Sequence, residues 1–158
     1  DNPNAQPEVL VAIGGLAGTS ATTGLRTPTI TRTRFIVGTT ANTDFTANDA
    51  NFECNVEITF DEQVTVTGTP QLTITNNDAS GGGYGSMTLN YVSATSSANQ
   101  LRFRATSQGA GNTDVLTVST LALNGGTIRD TAAAAAGNTV NATLTYGSGI
   151  AVSKTVSS

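Results

Sequence analysis

The stretch Phe52-Glu53-Cys54-Asn55-Val56-Glu57-Ile58-Thr59-Phe60 alternates apolar and polar side chains without a break. A period of two marks a strand with one face in a core and the other in water. Phe52, Cys54, Val56, Ile58 and Phe60 are expected to point inward, and Glu53, Asn55, Glu57 and Thr59 outward. A slip of one residue would carry two carboxylates and an amide into the core, so the register is specified together with the strand. Whatever this chain folds into must contain a half-buried sheet with this strand in it.

The rest of the sequence supplies partners for that strand. Further β-capable runs occur at Thr29–Val37, Val64–Val66, Gln71–Thr75, Ser86–Val92, Leu101–Ala105, Val115–Leu123, Val140–Tyr146 and Ile150–Val156, with turn signals between them. Only 11% of the 158 residues are charged, and polarity comes instead from Thr, Asn, Ser and Gly. Threonine favours strands, and the other three favour turns. No helical period competes; Ala132–Ala136 has room for one helical turn, though five alanines alone are marginal as a helix in water. About eight or nine short strands predict an all-β sandwich or barrel. In the first run, Thr31, Thr33, Phe35 and Val37 share one face, and Ile30, Arg32, Arg34 and Ile36 the other. Residues 38–51 read as a polar connection plugged to the core by Phe45.

Residues 1–28 stand apart as a flexible N-terminal arm, and residues 29–158 form the sandwich. Within the arm, Val9, Leu10, Val11, Ala12 and Ile13 make a short β-capable run, followed by the small residues of Gly14–Gly24. Such an arm is either a loose terminus or a segment that adds a strand to a neighbouring subunit. The longest apolar run, Val9 to Ala17, is interrupted by Gly14 and Gly15, so no membrane insertion is expected.

Several function classes lose their footing on the residues available. Net charge is −4, with one lysine and no histidine, which argues against nucleic acid as a partner. Arg26, Arg32 and Arg34 form a small basic cluster, read as solvated edge charges or as contacts to an acidic partner surface. The single cysteine, Cys54, alternates with large apolar residues and is expected to be a buried hydrophobe, without the histidine a nucleophile needs. Glu53 and Glu57 lie on one strand face about 13 Å apart, too far for a glycosidase pair, and read as part of the wet face. Asp61, Glu62, Asp114 and Asp130 fall at strand ends, where turn and cap chemistry accounts for them without a metal. Gly81-Gly82-Gly83-Tyr84-Gly85 lacks the Lys-Ser/Thr of a phosphate loop. Tyr84 within it reads as a loop anchor or as a partner contact, and it keeps carbohydrate open as a ligand. Asn141-Ala-Thr143 is a glycosylation sequon, relevant only in a secreted eukaryotic setting. No catalytic or cofactor-binding residue is assigned.

The run Ile58-Thr-Phe-Asp-Glu-Gln-Val-Thr-Val-Thr-Gly-Thr-Pro-Gln-Leu-Thr-Ile74, with Leu121-Ala-Leu-Asn-Gly-Gly-Thr-Ile-Arg-Asp130 and Ala136-Gly137-Asn138, resembles the bacterial immunoglobulin-like repeats of large surface proteins. The likeness covers about Ile30 to Val152. It implies an immunoglobulin-like antiparallel β-sandwich, here with an extended N-terminal arm. Repeats of this kind occur in cell-surface and swimming-associated proteins of cyanobacteria. With its arm and its Thr31-Arg-Thr-Arg-Phe35 strand, the chain also looks like structural proteins of marine bacteriophages. The resemblance implies a non-enzymatic virion structural protein at the virion surface, a capsid decoration or cement subunit or another phage surface part, that docks multivalently on other copies of itself and on a major coat protein. The alternative it implies is an extracellular cell-surface or filament subunit whose arm completes the sheet of its neighbour. Val9, Leu10, Val11, Ile13, Arg26, Arg32, Arg34 and Tyr84 are the expected contact residues.

Overall fold

The computed structural model describes residues 27–37, 40–41, 45–46, 52–135, 137, 139–146, 150 and 152–157. The arm, including Val9, Leu10, Val11, Ile13 and Arg26, lies outside the described residues. Among the described residues there are eleven strands: β1 (Ile30–Val37), β2 (Thr40–Ala41), β3 (Phe45–Thr46), β4 (Phe52–Phe60), β5 (Val64–Thr67), β6 (Gln71–Asn76), β7 (Met87–Tyr91), β8 (Gln100–Gln108), β9 (Val115–Ala122), β10 (Thr127–Asp130) and β11 (Ser153–Ser157). Nine of them hydrogen-bond in the order β2-β1-β4-β8-β7-β6-β9-β11-β3, and β10 pairs with β5 in a separate ribbon. Every pairing is antiparallel except that of β11 with β3.

The fold is an all-β sandwich. The ladder between β7 and β8 has only two register pairs, Asn90 with Arg104 and Tyr91 with Phe103. The strands on either side of this narrow seam contribute to one core cluster. Cys54, Val56, Ile58 and Phe60 of β4 and Leu101 and Phe103 of β8 share one core with Leu72 and Ile74 of β6 and Leu116 and Val118 of β9. The β5–β10 ribbon adds Val64 and Ile128 to the same cluster. Burial of these side chains is the main favourable term, at about 25 cal/mol per Å² of apolar surface. Tyr91 and Phe103 meet as tilted rings, 6.1 Å between centroids, at the seam itself.

The expected alternation holds along β4, where Cys54, Val56, Ile58 and Phe60 are buried in the core. In β1 it breaks once. Ile30 lies in the core, not on the face of Arg32 and Arg34, because the β1–β4 register shifts between Ile30 and Arg32. A bulge inserts one residue and so reverses the side-chain parity beyond it. The same device in β9, between the pairs Thr73–Thr120 and Ile74–Val118, lets Val118 and Leu121 both face inward.

The alanine run forms the single helical turn its sequence allows, α1 (Thr131–Ala135), and Asp130 Oδ1 accepts the Ala132 amide at 2.8 Å at its start. One other expectation is corrected. Residues 140–146, expected as a strand, join no ladder. Ala142 donates to Ile128 O at 2.7 Å and Thr143 to Pro28 O at 2.9 Å, single bonds to two different neighbours. Ala142, Leu144 and Tyr146 still pack on the core, as their alternation suggested. Strand β3 sets Phe45 opposite Val156, while the Phe45 side chain lies outside the described residues. Gly126 is required by a close approach, since a Cβ there would collide with the Thr67 carbonyl at the end of β5.

Candidate functional site

The registers of β1, β4 and β8 align Arg34 with Glu57, and Glu57 with Arg102, across three adjacent strands. Both outer strands thus hang a guanidinium over the carboxylate of the middle one. Arg34 grips Glu57 Oε1 through Nε and Nη2, each at 2.8 Å. Arg102 reaches Oε2 through Nε at 3.3 Å and Nη2 at 3.2 Å, and Arg32 Nη2 comes to 3.5 Å from Oε1. Paired donors of this kind match the planar carboxylate, and arginine supplies them in a fixed fork.

Glu57 is 0% exposed. This corrects the reading of Glu57 as part of a wet face: it points outward by alternation, yet three arginines cover it. A buried carboxylate is tolerable only when its partners satisfy it, as these do. The arginines themselves are covered unequally. Arg102 is 16% exposed and Arg34 30%, whereas Arg32 and Arg104 are 49% and 46% exposed. The covered pair holds the cluster, and the open pair presents charge to solvent.

Glu53 and Arg104 continue the face toward the start of β4. Their ion pair is loose, at 3.9 Å, and Glu53 Oε1 also accepts a 2.8 Å hydrogen bond from Asn55 Nδ2. Beside them lies a cavity of about 90 Å³ lined by Ile36, Glu53, Asn55, Val92, Thr95, Arg102 and Arg104. One wall is the 3-10 turn Ser93–Thr95 after β7. That turn is bolted to β8: Val92 donates to Arg102 O at 2.8 Å, and Ser96 Oγ accepts the Arg102 amide at 2.9 Å. Ile36 is buried but lies outside the core cluster, which puts its apolar surface on this outer face.

Four of the seven basic residues, Arg32, Arg34, Arg102 and Arg104, therefore share one sheet face with two glutamates. The basic cluster expected from sequence is broader than expected. Arg32 and Arg34 are brought together with Arg102 and Arg104, which lie far along the chain, while Arg26 is outside the described residues. Leu101-Arg-Phe-Arg-Ala105 alternates as Arg32-Thr-Arg34 does, and that shared pattern was the available signal.

Tyr84 lies elsewhere, in the connection between β6 and β7. Its ring is folded back over Gly82, Gly109 and Gly111, where a Cβ on either Gly82 or Gly109 would strike it. The connection is held by two carboxylates. Asp78 accepts the amides of Gly83 and Tyr84, both at 3.1 Å. Buried Asp114 accepts Ser80 N at 2.8 Å, Gly111 N at 2.9 Å and Asn76 Nδ2 at 2.9 Å. Burial pushes the Asp114 carboxyl up, but the hydrogen bonds from Ser80, Asn76 and Gly111 outweigh it and hold the group at about 2. Asp61 is likewise occupied, accepting Thr29 N at 2.8 Å and Thr29 Oγ1 at 2.7 Å. Burial pushes the Cys54 thiol up to about 12, so at neutral pH it is not the thiolate a nucleophile requires. Among the described residues no helix is long and apolar enough to cross a membrane. Comparisons of the chain with protein-family models, with curated proteins and with solved structures find no match.

Proposed function

We propose that this chain is a non-enzymatic structural subunit of a virion surface, a decoration or cement protein of a phage capsid or another phage surface part. One observation carries the reading: a chain of net charge −4 gathers four of its seven basic residues on one rigid sheet face around a buried glutamate. The likeness of Ile58–Ile74 and Leu121–Asp130 to immunoglobulin-like surface repeats supports it from the side of sequence.

The mechanism is multivalent docking. Each subunit lays the β1-β4-β8 face against an acidic surface of a coat protein or of another copy, and its N-terminal arm engages a neighbour. Weak contacts repeated around a symmetric particle add up through effective concentration. Arginines already held by Glu57 lose little freedom on binding, and charge complementarity sets orientation and partner choice.

The test is co-purification with particles. The chain should be found on intact particles in high copy, and a variant lacking residues 1–25 should fold but fail to join them. Normal assembly of the truncated chain would remove the arm from the account. Recovery in long fibres in place of particles would assign the chain to a cell-surface filament.

A further inference from the structure

We propose that the cavity between β4, β8 and the Ser93–Thr95 turn is a carboxylate-binding site, and that its occupant is a glutamate- or aspartate-bearing segment of a partner protein. The proposal rests on the docking-face reading above and names the chemistry of the partner.

Three features of the cavity select a carboxylate. First, Arg104 is 46% exposed, and its ion pair with Glu53 spans 3.9 Å. A well-formed guanidinium–carboxylate pair closes to about 2.7–2.9 Å, so most of the donor capacity of Arg104 is unspent. Second, Glu53 is the group that competes for that capacity, and it holds Arg104 only loosely: its Oε2 stays 3.9 Å from Arg104 Nη1, while its Oε1 is turned to Asn55 Nδ2 at 2.8 Å. Third, Ile36 and Val92 supply apolar wall beside the polar groups of Asn55, Thr95, Arg102 and Arg104. A glutamate side chain has that same division, methylenes behind a charged head. A volume of about 90 Å³ accommodates such a group. Glu57, a few residues along β4, shows the same face already holding a carboxylate, with the Arg34 fork on Oε1 at 2.8 Å.

Shape separates this ligand from phosphate. The four arginines, with Glu53 and Glu57 among them, attract a dianion as they attract a monoanion. Phosphate has no apolar part to lay against Ile36 and Val92, whereas a glutamate side chain has its methylenes. A nucleic-acid backbone further needs a row of unpaired cations along its path, and here the two more covered arginines are engaged by Glu57.

The experiment uses the full chain, isotopically labelled, with the arginine Nε–Hε signals followed by NMR at low salt. The probe is a blocked tetraglutamate peptide, and inorganic phosphate at matched ionic strength is the comparison. The peptide should shift the Arg102 and Arg104 signals. Arg104→Gln should weaken it about tenfold, the loss of one charge-assisted pair. Glu53→Gln should tighten it severalfold by removing the competitor. Both side chains are half exposed and loosely paired, so both variants should melt as the unaltered chain does. Absence of shifts, or unchanged affinity in both variants, would overturn the site. Tighter binding of phosphate than of peptide would overturn the carboxylate assignment. These results leave the assembly reading standing, since particle co-purification judges that. A chain that binds the peptide but is never found on particles would overturn the assembly reading and keep the site.

Discussion

Glu57 and Asp114 are both buried carboxylates, and they are satisfied in opposite ways. Glu57 is covered by side-chain cations, Asp114 by backbone amides and one asparagine. Glu57→Gln leaves three guanidinium groups converging on a neutral amide, which should cost about 3 kcal/mol, read as a lowered urea midpoint. Asp114→Ala strands the amides of Ser80 and Gly111 and should cost about 3 kcal/mol in the same assay. The pH dependence follows from the sign of the Asp114 shift. Its folded value, about 2, lies below the ordinary 3.8, so its stabilisation is complete above that ordinary value and is lost as pH falls toward about 2. Urea midpoints measured across that window should fall less steeply in Asp114→Asn than in the unaltered chain. Alternation alone made the inward residues Cys54, Val56, Ile58 and Phe60 legible. The burial of Glu57 was not legible, because its cover comes from two strands that meet it only in the folded sheet.

The strands themselves were readable where polar and apolar residues alternate strictly, as in β4 and β8. They were less readable where a bulge changes parity, as at Ile30 and in the middle of β9. A bulge has no signature in a single sequence beyond the broken pattern it leaves. The strand expected at 140–146 was misjudged because the bonds of that run go singly to distant elements, as from Thr143 to Pro28 O at 2.9 Å. The α1 turn, allowed by its alanines, is likewise tied to a distant element, Thr131 donating to Gln63 O at 3.0 Å. Turn contacts are just as non-local. The β5–β6 turn and the β9–β10 turn touch at Gly68 and Gly126, and Gly126→Ala should push the Thr67 carbonyl aside. Its expected cost is about 1–3 kcal/mol, measurable by thermal denaturation.

At the level of the whole molecule, the sheet gathers arginines from distant parts of the chain on one face, interleaved with Glu53 and Glu57. Its outer β1-β4-β8 face is the basic region of an acidic protein. This polarity was hidden in the sequence because Arg32 and Arg34 are separated from Arg102 and Arg104 by about half of the domain's length. The proposed assembly role turns on which way that face points. The most direct measurement is electron cryomicroscopy of native particles that carry this chain, with the subunit placed in the density. The account predicts that Arg32 and Arg104 face an acidic surface of the neighbouring protein, with a carboxylate beside Arg104. Subunits seated by another surface, with the arginine face turned to solvent, would contradict it.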